Sequence, residues 1–172
     1  MNHPEREQLL TRWEREHQRT MVILEALPKG QYDLRPEAEN RSLGEMAWHL
    51  AEGEACVTHA IVVGKFDPQS ASLEELKQPT TIAELAPSFE RVHRLAVARV
   101  AGLTEEQLAS SIVFMQGTVA PVQEILWTNV IGHTIHHRGQ LMLLVRQAGG
   151  TVPGIYGPNR EAFPLTRAAA AS

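Results

Sequence analysis

His133 and His137 stand four residues apart in HTIHHRGQ, residues 133–140. On a helix, positions i and i+4 project from one face about one turn apart, so two imidazoles there can give two nitrogens to a single metal ion. The zinc-protease pattern H-E-x-x-H has a glutamate after the first histidine as general base. That position here is Thr134, and the base of that mechanism is missing. The same spacing also suits two hydrogen-bonded histidines at the border of a core. His49, in another apolar stretch, adds a third imidazole that can face a bundle interior. Burying three imidazoles without a partner is costly, and a divalent cation would satisfy them. Three neutral nitrogens leave coordination positions open, as in reactive metal sites. Zn, Ni and Fe(II) all suit that donor set.

Other polar side chains could serve such a site. Asn129, four before His133, and Gln140, three after His137, share its face and could hydrogen-bond a ligand's second nitrogen. His136 points about 100° around the helix from His137, which suits a supporting or surface position. His17 lies on an apolar stripe, as a hydrogen-bonded interior residue or a pocket-lining one. Arg138 could meet an acidic substrate or pair with a carboxylate on a neighbouring helix. Tyr156, in a Gly/Pro-flanked loop, could fold over the site and offer a phenol, or pack on the bundle end. Arg138 and Tyr156 are the candidates for catalytic groups; no other side chain is singled out as one. His3, His59 and His93 receive no role. Cys56, two turns and about 10 Å beyond His49, is too far to share an ion and reads as a core residue.

Four helices must position these groups. Leu10, Trp13, His17, Met21 and Leu24 form a helical stripe within residues 5–27. Ser42 and Glu45 form a capping box that opens a second helix ending near Gly64. Residues 65–80 are a linker, with one short turn capped by Ser72 and Glu75. A third helix carries Ile82, Leu85, Phe89, Val92, Ala96 and Val100. Thr81 and Glu84 suggest another capping box, and Pro87 implies either a kink or a later start. Ser111–Gln116 reads as a short extended piece, too isolated for a sheet. From Pro121 a helix of about 40 Å runs to Ala148 before Gly149–Gly150. The pattern predicts an all-α four-helix bundle, and the long middle linker predicts a crossover connection. One domain spans residues 1–164, and residues 165–172 form a loose tail.

Composition excludes several classes. A chain of 172 residues with 43% hydrophobic residues can bury roughly 70% of its unfolded surface in one core. Its 16 Lys+Arg against 20 Asp+Glu give a net charge of −4, which offers no electrostatic basis for nucleic-acid binding. No signal-peptide run and no stretch of ~18 apolar residues is present, so a cytoplasmic protein without membrane contact is expected. One cysteine excludes an intrachain disulfide and fits a reducing compartment. Nucleophile elbows, phosphate loops and zinc ribbons find no support.

The WHL of Trp48–Leu50, the run His133–Gln140 and the YGP of Tyr156–Pro158 resemble the DinB superfamily, a damage-inducible group of metal-binding four-helix bundles unrelated to the polymerase of that name. The likeness runs from the first helix through the Tyr156 loop. It implies a divalent ion on His49, His133 and His137, and a homodimer. Related branches include isomerases and S-transferases that use low-molecular-weight thiols such as mycothiol and bacillithiol.

A thiol-dependent S-transferase is therefore expected first. The ion would lower the pKa of a thiol, normally ~8.5, so that it forms thiolate near neutrality. With Cys56 out of reach, that thiol belongs to a cosubstrate. A metal-dependent hydrolase activating water is the alternative, although the last helix offers no carboxylate beside the histidines. A non-catalytic, stress-associated metal-binding bundle is the third reading.

Overall fold

A computed structural model of the chain describes residues 3–67 and 76–162. The expected turn at Ser72 and Glu75 and the tail at 165–172 lie outside the described residues. Helix α1 spans His3–Glu25, α2 Leu43–Val63 and α3 Ile82–Ala101. A short α4, Glu105–Ala109, precedes a hairpin of β1, Ser111–Val113, and β2, Val119–Pro121. The last long element begins as α5, Val122–Ile125, widens into a π-helical stretch over Leu126–Gly132, and continues as α6, His133–Gln147.

Local chemistry explains these boundaries. Ser42 and Glu45 form the expected reciprocal capping box, and Gly64 closes α2 at a φ of 86°, a left-handed conformation that costs glycine little. At α3 the expected box is not made. Thr81 Oγ1 bonds the Glu84 carboxylate instead of a backbone amide. Pro87 lies inside α3 rather than starting it. The extended piece at Ser111 does find a partner, because Val119–Pro121 folds back on it, pairing Ser111 with Pro121. Both turn residues Gln116 and Gly117 have positive φ. The isolation expected from sequence is thus corrected: the partner strand is too short to register as one.

Packing defines the topology. α1 and α2 each pack against both α3 and α6 and so stand diagonally opposite one another. One apolar cluster joins Leu24 near the end of α1, Leu50 and Leu85 in the first halves of α2 and α3, and Leu144 near the end of α6. A second joins Leu9, Ile61, Val100 and Val130 at the other end. α2 and α3 are therefore parallel neighbours, with α1 and the last helix antiparallel to both. The connection from Gly64 to Thr81 has to return the chain along the bundle, which is the crossover expected from its length. The architecture is an all-α four-helix bundle. Among the described residues no helix is long and apolar enough to cross a membrane.

Candidate metal centre

α2 and α6 run antiparallel, and one turn of each brings His49, His133 and His137 together. One nitrogen from each lies within 4.8 Å of the others. Ring centroids are 4.9 Å apart for His49 and His133, 4.6 Å for His49 and His137, and 4.3 Å for His133 and His137. The π-helical stretch ends at Gly132, so His133 is the first residue of the regular helix that carries it and His137 on one face. Single π turns are frequent at functional sites.

His133 reaches this position because residue 53 has no side chain. A Cβ at Gly53 would stand 2.5 Å from the His133 ring. The imidazole thus lies directly on the α2 backbone, and its buried Nδ1 has no hydrogen-bond partner. Burial, then the neighbouring His137, His49, His136 and Arg41, push the His133 pKa down to about 3. Burial also lowers that of His137, helped by His49, His136 and Arg41 and opposed by its bond to Gln140. Clustered imidazoles with a stranded buried nitrogen are what a divalent cation satisfies, so these residues fit a metal.

The outer nitrogens of the other two rings are oriented. His137 Nδ1 lies 2.7 Å from Gln140 Oε1, and His49 Nδ1 lies 3.1 Å from Glu52 Oε2. Such partners hold a ring's tautomer and leave its other nitrogen for coordination. Gln140 thus hydrogen-bonds the outer nitrogen of His137. Its amide nitrogen also meets His136 Nε2 at 3.3 Å, which leaves His136 exposed beside the cluster. Glu52 was not anticipated from sequence, although its i+3 spacing from His49 carries the signal.

Other expected residues go elsewhere. Asn129 lies in the π-helical stretch, and its carboxamide oxygen accepts from Thr128 Oγ1. The wider turn breaks the α-helical register that placed it under His133. Arg138 is buried and turned towards α1, where it bonds the Glu16 carboxylate at 2.6 Å, the Glu16 carbonyl and Thr20 Oγ1. The Tyr156 hydroxyl closes this network by accepting from Arg138 and donating to Glu16. Neither candidate catalytic group faces the three histidines. Arg138 neutralises a buried glutamate, and Tyr156 ties the C-terminal loop to that pair.

His17 also belongs to another group. Its ring stacks on His93 at 3.7 Å, and its Nε2 meets Glu90 at 2.5 Å. His93 Nδ1 bonds Glu54 at 2.8 Å, and Trp13 donates to the other Glu54 oxygen. Sequence periodicity placed His93 off the main stripe of α3, yet it is fully buried. Glu54 on α2 draws it inward.

The sequence matches the DinB family over residues 1–165. This chain belongs to the DinB family. It is 33% identical over 156 residues to the uncharacterised YrdA of Bacillus subtilis, covering 88% of each chain. A DinB-like protein from Bacillus cereus shares the fold at a TM-score of 0.71 with 29% identity, covering 87% of this chain and 97% of that one. YfiT from Bacillus subtilis, described as a probable metal-dependent hydrolase with an unusual four-helix bundle topology, aligns at a TM-score of 0.66 over 88% of this chain and 91% of its own. At 13% identity that likeness speaks for the fold.

Proposed function

We propose that this DinB-family chain is a divalent-metal-dependent enzyme that transfers the thiol of a low-molecular-weight cosubstrate onto a small electrophile. The observation that carries the reading is the cluster of His49, His133 and His137, with the buried, unpartnered His133 Nδ1 at its floor. A divalent ion on these nitrogens would supply Lewis acidity, lowering the pKa of a thiol or of water. The chain's own residues hold the donors ready. Gly53 lets His133 lie against α2, Gln140 and Glu52 orient His137 and His49, and burial keeps His133 neutral. Cys56 packs against the apolar cluster, which supports an external thiol.

Glu52 favours a second reading, metal-dependent hydrolysis, because its partly exposed carboxylate stands beside His49 and could accept a proton from water. Metal analysis of untreated protein, followed by parallel assays of thiol consumption and product formation, separates the two. Product formed only with thiol present supports transfer. Turnover without any thiol assigns the site to hydrolysis. Metal binding without turnover leaves a binding bundle.

A further inference from the structure

Beside the histidines a cleft of about 670 Å³ opens between the α1–α2 loop and the outer face of α6. His137 and Gln140 form its inner end, Met46, Leu143 and Leu144 give it apolar wall, and Arg41 stands on the rim. Arg41 makes no hydrogen bond or ion pair among the described residues, whereas the backbone on either side of it is fixed. Arg35 holds the Asn40 carbonyl at 2.6 Å and pairs with Glu45, while Ser42 is the N-cap of α2. Glu39 shares the rim without pairing to Arg41. A pinned loop therefore presents a guanidinium without a hydrogen-bonded partner to a pocket whose inner end is His137, one of the three clustered histidines.

Charge decides what such a pocket takes. A divalent ion on the histidines together with Arg41 would outweigh the carboxylates of Glu52, beside His49, and Glu39, on the rim, and leave the cleft a positive balance. Arginine's planar fork matches a carboxylate with two parallel hydrogen bonds. We infer that Arg41 is a specificity-determining residue that binds the carboxylate of a small ligand whose apolar portion lies along Leu143 and Leu144 and whose reactive end reaches His137. This deepens the thiol-transfer reading and rests on it for the identity of the reactive end, but the carboxylate subsite stands on Arg41 alone.

The test uses matched ligands on the zinc-loaded full chain, with affinity read by calorimetry. N-acetylcysteine and its amide differ only in the carboxylate, and N-acetylalanine and its amide repeat the comparison without a thiol. In the unaltered protein each acid should bind about tenfold more tightly than its amide, as expected for a charge-assisted pair. Arg41→Ala, an exposed position, should erase that preference in both pairs, and Arg41→Lys should restore part of it. A preference that survives in Arg41→Ala overturns the subsite, as does its absence in the unaltered protein. If the preference behaves as expected but the cysteine acid binds no better than the alanine acid, the subsite stands and the thiol reading falls.

Discussion

The His133 imidazole occupies the space that a side chain on residue 53 would fill, with its Cε1 2.5 Å from where that Cβ would stand. Glycine inside a helix costs about 1 kcal/mol relative to alanine. At this position that cost lets an imidazole of the candidate metal cluster rest on the facing backbone.

Gly53→Ala should therefore displace His133 although alanine is the better helix former. The expected outcome is a bound divalent-metal content well below that of the unaltered protein, with an unchanged far-ultraviolet circular dichroism spectrum. Full occupancy in that variant would show that the ring has room to move without leaving the site.

Glu52→Gln keeps the shape beside His49 and removes the charge. Loss of such an outer partner commonly weakens metal binding by about 10- to 100-fold. Competition with a chromogenic chelator measures this directly. His137 has its own partner in Gln140, so Gln140→Ala should lower affinity by a similar order.

Arg138 and Glu16 are both buried, and removing one charge strands the other. Arg138→Met should cost about 3–5 kcal/mol in denaturant unfolding. Tyr156→Phe, which deletes only the hydroxyl, should cost about 1 kcal/mol. Neither lies in the three-histidine cluster, so metal per folded chain should hold in Tyr156→Phe. Burial works against the ionised Glu16, but Tyr156, Arg138 and Arg19 still hold its pKa below the ordinary 4.5. Its contribution is therefore present above about pH 4.5 and is lost as pH falls through the lowered value.

The stacked pair His17 and His93 should titrate in opposite directions from the ordinary 6.5. Burial opposes the charged form of His93, yet its bond to Glu54, that carboxylate's charge and Glu14 raise its pKa. Burial and the neighbouring His93 lower that of His17, against Glu90 and Glu54. The raised His93 value stabilises the fold fully below pH 6.5 and ceases to do so as pH rises through it. Glu54→Gln should therefore cost more stability near about pH 6 than near about pH 9. Proton NMR of the two rings gives the midpoints, and a His93 midpoint below that of His17 would contradict this arrangement.

Much of the site was legible because helical spacing is a one-dimensional code. The i, i+4 pair His133 and His137 must share a face on any α-helix, and the Ser42–Glu45 box marks where the helix bearing His49 begins. Arg138 and Tyr156 were legible as polar but not as partners. Nothing in their spacing says that Glu16, more than a hundred residues earlier, is buried opposite them. Asn129 misled because a π turn changes the register that a regular helix would keep.

The sequence by itself determined the four long helices, the Ser42–Glu45 cap, the crossover implied by a long linker, and which imidazoles one helix could offer together. Those are properties of neighbours along the chain. Only the tertiary structure decided that His49 meets the other two, that Gly53 makes room for His133, that Glu52 bonds His49 and Arg41 shares a cleft with His137, and that His17 and His93 form a separate cluster. Antiparallel packing of α2 on α6 brings the first group together and packing of α1 on α3 the second, and close packing between two helices depends on shapes at positions far apart in sequence.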